Sequence, residues 1–142
     1  GKKHPKIMNI IELIQQLYGD SCQLRSPLNK RQLDKARKLI PAELLEILKI
    51  SNGIYKTMIN PDTNQTAVID LIIYSLADIK SQTEHYRCEY GGEGIVFSGD
   101  LSVGFFVFKP DGKIFRYDYY NLSEEYYAEN LEDWLRKWKD IE

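Results

Sequence analysis

Residues 104–119 read Gly104-Phe105-Phe106-Val107-Phe108-Lys109-Pro110-Asp111-Gly112-Lys113-Ile114-Phe115-Arg116-Tyr117-Asp118-Tyr119 and join two apolar runs through a polar centre. At that centre, Pro110 fixes the backbone of a turn and Gly112 supplies a positive φ angle. We therefore predict a β-hairpin with strands over 104–109 and 113–119. This hairpin indicates that the chain contains an antiparallel sheet.

Three other runs rich in β-branched and apolar residues indicate further strands. They cover 55–59, 67–74 and 95–98, and the turn Pro61–Asn64 separates the first two. Downstream of the hairpin, a closing helix is predicted from Asn130 by the apolar positions Leu131, Trp134, Leu135 and Trp138, which recur at helical spacing. Both tryptophans are expected to pack toward the core.

Three short helices are predicted before the first of these strands. They cover 7–17, 29–39 with Asn29 as N-cap, and a stretch that starts at Pro41 and ends at Asn52-Gly53. A middle helix is predicted from Ser75 to the glycine-rich loop 91–94. Helices and strands therefore follow one another as in an α+β protein with an antiparallel sheet, N-terminal helices, a middle helix and a C-terminal helix packed on it.

Length and composition fit a single domain over residues 1–142. The chain has 43% hydrophobic and 28% charged residues, which is ordinary for a globular protein. No apolar run approaches the roughly 20 residues of a membrane-spanning helix, so we expect a soluble protein. Its two cysteines, Cys22 and Cys88, are too few for a disulfide scaffold and indicate reduced thiols in the cytoplasm.

Charge divides unevenly along the chain. Residues 1–39 hold 9 Lys and Arg against 3 Asp and Glu, whereas residues 40–142 hold 10 against 18. The basic residues of the first part lie at helical spacings beside apolar ones, which is typical of a solvated helix face. We therefore expect neither a nucleic acid nor a membrane as partner.

Cofactor and metal sites are predicted to be absent. The glycines of loop 91–94 suit tight turns, and Phe105 and Phe106 stand where a phosphate-binding loop would need Lys and Ser or Thr. His85 and Cys88 share a helix face, but a structural zinc needs four ligands and only His4 and Cys22 remain.

Catalytic residues are not indicated by any nucleophile motif. Glu93, Asp100 and Asp118 lie near predicted strand ends, where they either converge as general acid and base or serve as solvated turn carboxylates. The solvated interpretation is the default, and we expect no enzyme activity.

Residues 117–133 differ from the rest of the chain because they hold five of the ten tyrosines and six carboxylates but no Lys or Arg. Tyrosine is enriched in protein interfaces, and clustered acids attract a basic partner. The alternative is that Tyr117 and Tyr119 pack the sheet while the acids solvate the surface. For a partner-binding surface we predict these residues: Glu93, Asp100, Asp118, Tyr120, Glu124, Glu125, Tyr126, Tyr127 and Glu129.

Four stretches resemble the SUKH superfamily, whose eukaryotic members include the Smi-Knr cell-wall assembly regulators. The resemblance begins with the pattern of proline, helix and Asn-Gly over 40–53 and continues, in order, through 73–79, 95–100 and 130–135. It implies an α+β domain with an antiparallel sheet and no catalytic residues. In bacteria it implies an immunity protein that neutralises a cognate toxin, often a nuclease.

We therefore expect a protein partner, namely a toxin domain bound through the tyrosine-rich and acidic surface. The alternative is a regulatory interaction module of the cell-wall-regulator type with no toxin partner. A toxin gene beside this one would favour the first interpretation, and an isolated gene would favour the second.

Overall fold

The described part of the chain contains five α-helices and seven strands. The computed structural model describes the backbone of residues 6–100 and 103–141, with the side chains in these ranges except those of residues 6–9, 20, 69, 100 and 139–141. The helices are α1 (Lys6–Tyr18), α2 (Lys30–Ala36), α3 (Ala42–Ile50), α4 (Leu76–Tyr90) and α5 (Leu131–Ile141). The strands are β1 (Cys22–Leu24), β2 (Ile54–Ile59), β3 (Thr66–Ile73), β4 (Ile95–Asp100), β5 (Gly104–Phe108), β6 (Ile114–Asp118) and β7 (Ser123–Ala128).

All the strands pair antiparallel, which confirms the α+β class. They form two sheets, of order β1-β2-β3 and β4-β5-β6-β7, where a single sheet was expected. The chain divides into two compact units, Gly1–Leu76 and Ala77–Glu142, so each unit contains one sheet. That residues 1–142 form one domain stays a prediction.

In the first unit, buried aliphatic side chains of α1, α3 and the sheet form the core, among them Ile14, Ile47 and Ile54. The predicted cap of α2 is confirmed as a capping box. The Asn29 Oδ1 accepts from the Gln32 backbone N–H at 2.8 Å, and the Gln32 Oε1 accepts from the Asn29 backbone N–H at 3.0 Å.

The Asn-Gly pair after α3 has a physical role at the start of α4. The Asn52 Oδ1 accepts a hydrogen bond from the Leu76 backbone N–H at 2.8 Å, so it satisfies a donor at the helix end. Gly53 has a φ of 98°, and a Cβ atom on it would lie 3.1 Å from the Ser75 backbone nitrogen. The pair thus lets two segments of the first unit approach closely.

In the second unit, helices cover both faces of the four-stranded sheet. Phe106 faces α5, where its ring lies 5.6 Å from Trp134 and 6.1 Å from Trp138. The next residue, Phe105, faces α4 and lies 5.5 Å from the ring of Tyr86. Because successive residues of a strand point to opposite faces, the two helices lie on opposite sides. Both tryptophans are buried, as predicted.

The predicted hairpin is confirmed as β5 and β6, paired from Gly104–Asp118 to Phe108–Ile114. Gly104 is required by close approach, since a Cβ atom there would overlap the carbonyl oxygen of Tyr117. None of the helices in the described ranges has the length and apolar character needed to cross a bilayer.

Candidate protein-binding surface

The turn between β6 and β7 is shaped by Asp118, the last residue of β6. Its Oδ1 accepts from the backbone N–H groups of Tyr120, at 2.8 Å, and Asn121, at 3.3 Å. Its Oδ2 accepts from the Asn121 side chain at 3.0 Å, and its carbonyl accepts from the Leu122 N–H at 2.8 Å. The three bonds to the carboxylate, led by that from Tyr120, hold the pKa of the Asp118 carboxyl below its ordinary value.

This turn, Tyr119–Leu122, displays three apolar or aromatic side chains and is called the tyrosine turn below. Tyr120 is 79% exposed, Leu122 is 68% exposed and Tyr119 is 43% exposed. Asp118 fixes the backbone of the turn, so the backbone positions that carry these three side chains are defined. Leu122 has a φ of 52°, which is unusual outside glycine and points to a turn that its neighbours hold in place.

A series of aromatic contacts connects the tyrosine turn to the interior of the second unit. The Tyr119 ring lies 5.7 Å from that of Phe105, which stacks on Tyr117 at 5.0 Å. Tyr117 in turn lies 4.6 Å from Tyr90 at the end of α4. The Tyr119 ring therefore contacts the buried Phe105 while the residue remains 43% exposed.

Strand β7 adds two tyrosines that differ in exposure. Tyr126 is 47% exposed, and its hydroxyl donates to the Glu129 carboxylate, which is the main reason that its pKa is raised to about 12. Tyr127 lies opposite no residue of β6, because a bulge separates the pairs Ile114–Ala128 and Phe115–Tyr126. Its half-buried ring packs 4.9 Å from Phe106, so Tyr127 mainly supports the core.

Glu124 belongs to a half-buried cluster. Its Oε2 lies 2.7 Å from the Lys109 Nζ, and its Oε1 accepts from the Tyr86 hydroxyl. The same Lys109 Nζ donates to the Tyr86 hydroxyl at 3.0 Å and to the Glu93 carbonyl at 2.9 Å. Burial raises the pKa of Glu124 and lowers that of Lys109, so their close contact compensates two desolvated charges.

The other predicted site residues lie in separate places. Glu125 is exposed and lies 3.8 Å from Arg116, which also lies 4.0 Å from Asp118. Glu93 precedes β4 at one end of the sheet, whereas Asp118 closes β6 at the opposite end. Their distance apart gives no support to a shared acid–base site.

Asp100 and Asp118 lie on either side of Gly104 in the sheet register, two strands apart, because Gly104 pairs with both residues. The side chain of Asp100 is outside the described part of the structure, as is His4 of the predicted metal candidates. His85 and Cys88 are both exposed on α4. Within the described ranges, no three His, Cys, Asp or Glu side chains are grouped as metal ligands.

Sequence reasoning missed Leu122 and Tyr90 as parts of this surface. Leu122 stands between polar residues in Asn121-Leu122-Ser123, and that isolation was the one available signal of exposure. Tyr90 ends a helix and gave no signal of its own. The comparisons with known proteins add no relative: no family model, no curated protein and no solved structure matches the chain.

Proposed function

We propose that this chain is a non-catalytic protein-binding module that binds its partner through the tyrosine turn and the adjoining residues of β7. In a bacterial cytoplasm, the partner would be a cognate toxin domain that the chain neutralises, as the resemblance to SUKH immunity proteins implies. The observation that carries the proposal is the display of Tyr119, Tyr120 and Leu122 on a turn fixed by Asp118.

Exposed aromatic groups on a fixed backbone favour binding for an energetic reason. Tyr120 would transfer much of its ring from water to a partner and lose few rotamers on binding. Buried tyrosines are frequent among the few interface residues that dominate affinity. Among the described residues of the second unit, the tyrosine turn combines the two most exposed side chains of the large apolar and aromatic residues, Tyr120 and Leu122.

In this proposal the carboxylates of 117–133 have a smaller part than the tyrosine turn. Basic residues outside 117–133 lie within 4.0 Å of five of the six carboxylates, namely Lys109 beside Glu124, Arg116 beside Asp118 and Glu125, Arg136 beside Glu132, and Lys137 beside Asp133. These contacts reduce the local negative charge. We therefore propose that the acidic side chains speed the encounter with a basic surface, and that the tyrosine turn slows dissociation of the complex.

The test compares Tyr120→Ala and Leu122→Ala with Leu39→Ala, a matched change at a 52% exposed residue of the first unit. Dissociation from the toxin encoded by the neighbouring gene is measured by surface plasmon resonance, and circular dichroism checks that each variant is folded. We expect Tyr120→Ala to speed dissociation about tenfold or more, with protection of toxin-expressing cells reduced in parallel.

Unchanged dissociation for both turn variants would place the interface on another surface. A full-length partner captured by the chain with no toxic activity would support the regulatory alternative instead. In that case the tyrosine turn variants should still weaken the complex, so the surface and the identity of the partner are tested separately.

A further inference from the structure

An open cavity of about 740 Å³ lies at the surface of the first unit and is lined mostly by exposed residues. Arg25, Tyr55, Gln32 and Asn52 supply polar groups to its wall, and Leu24 and Val68 supply apolar ones. Its volume is in the range of cavities that bind small molecules or short peptide ends.

The polar groups of the wall are biased toward hydrogen-bond donors. The Gln32 Oε1 accepts from the Asn29 backbone and the Asn52 Oδ1 accepts from the Leu76 backbone, so the other end of each amide is an NH₂ group. The Tyr55 hydroxyl accepts from the Arg25 Nη1, which leaves its own hydrogen to donate. These three side chains therefore use acceptors within the protein and keep donors for a ligand, while Gln23 and Ser26 add groups of both kinds to the wall.

The charge of the cavity wall also favours a ligand that accepts hydrogen bonds. Arg25 is the one charged side chain among the described residues of the wall, and no Asp or Glu joins it. Its guanidinium carbon lies 4.9 Å from the centre of the Tyr55 ring, a cation–π contact. A planar guanidinium binds a carboxylate through two parallel hydrogen bonds.

We infer that this cavity is a binding site for an organic carboxylate, a singly charged acid group attached to an apolar body. One guanidinium balances one carboxylate, whereas a phosphate dianion would leave charge uncompensated. The apolar side chains Leu24 and Val68 are 39% and 53% exposed, so an apolar group seated beside them would remove them from water. The acid is supplied either by a free small molecule or by the C-terminus of a peptide.

The test titrates the full chain with N-acetylphenylalanine and with its amide, using ¹H–¹⁵N NMR and calorimetry. We expect the carboxylate to bind about tenfold or more tightly than the amide, because only the carboxylate pairs with Arg25. Arg25→Gln should abolish that difference. Arg31→Gln, a matched change at an exposed arginine outside the cavity wall, should change the affinity less than about twofold at 0.15 M salt.

Two further probes identify the source of the acid. Tighter binding of N-acetyl-Ala-Ala-Phe than of phenylacetate supports a peptide C-terminus, and the reverse order supports a free small acid. The inference would be overturned by equal binding of acid and amide, by an Arg25→Gln variant that binds like the parent, or by preference for inorganic phosphate. It would also be overturned if no probe bound at concentrations up to about 10 mM, which corresponds to a binding free energy of a few kcal/mol at most.

Discussion

A single carboxylate, that of Asp118, sets the shape of the tyrosine turn. The bonds from Tyr120 and Asn121 favour its ionised form, so its pKa in the folded state is lowered. The ionised carboxylate therefore stabilises the fold above its ordinary pKa of 3.8, and this contribution is lost as pH falls through the lowered value. We expect ¹³C NMR titration to place the Asp118 carboxyl below 3.8, with the Tyr120 amide shifting in the same transition.

A matched variant tests the cause of this shift. Asn121→Ala removes the side-chain donor to Asp118 and keeps both backbone donors, so the pKa of Asp118 should rise part of the way toward its ordinary value. A carboxyl that titrates at or above 3.8 in the parent protein would show that these bonds do not hold the turn in solution.

The exposure and contacts of an individual residue were predictable from the sequence where they depend on residues nearby in the chain. Tyr120 was predicted to belong to a partner-binding surface and is exposed, in a turn that also holds the polar residue Asn121. Glu124 was predicted as a partner contact, yet its carboxylate contacts Lys109 and Tyr86, which are 15 and 38 positions away in sequence. No local pattern encodes such a long-range contact.

At the scale of elements, the cluster of Lys109, Tyr86 and Glu124 joins α4 to the edge of the sheet. Its charged side chains are only 17% and 24% exposed, so removing one partner leaves a poorly solvated charge. Because both retain some access to water, we expect a coupling of about 1–2 kcal/mol rather than the larger values of fully buried pairs. A double-mutant cycle with Lys109→Met and Glu124→Gln, followed by urea unfolding, measures it.

The pair Glu132–Arg136 on α5 is the control for this cycle. Its charged atoms are 3.3 Å apart, but its side chains are 49% and 57% exposed, so their coupling should not exceed about 0.5 kcal/mol. Equal coupling in the two pairs would contradict the view that burial strengthens the Lys109 cluster.

Helices were more predictable than strands for a physical reason. The spacing of Trp134 and Trp138 predicts α5, since helical periodicity is contained in one segment. Strand β7 was missed because Ser-Glu-Glu-Tyr-Tyr-Ala does not alternate, and its bulge places Tyr127 and Ala128 on the same face. Strand β1 has only three residues and too little pattern to detect.

At the scale of the whole molecule, the two compact units carry opposite net charge. Gly1–Leu76 holds 11 Lys and Arg against 7 Asp and Glu, and Ala77–Glu142 holds 8 against 14. The donor-lined cavity lies in the positive unit and the tyrosine turn in the negative one. This division agrees with an anionic ligand for the first unit and a basic partner for the second.

Charge on β7 should act mainly on association with the partner. Glu125→Lys and Glu84→Lys change the net charge of the second unit by the same amount, but Glu125 adjoins the proposed interface and Glu84 lies on α4. If steering is local, Glu125→Lys slows association about two- to fivefold at low salt, and Glu84→Lys changes it less. The difference should shrink at 1 M salt, where the screening length is about 3 Å. Dissociation should be unaffected in both variants, because exposed charges act before contact and the tyrosine turn acts after it. Stopped-flow association rates at two salt concentrations measure this, and equal slowing by the two variants would show that net charge, rather than the acidic edge of β7, attracts the partner.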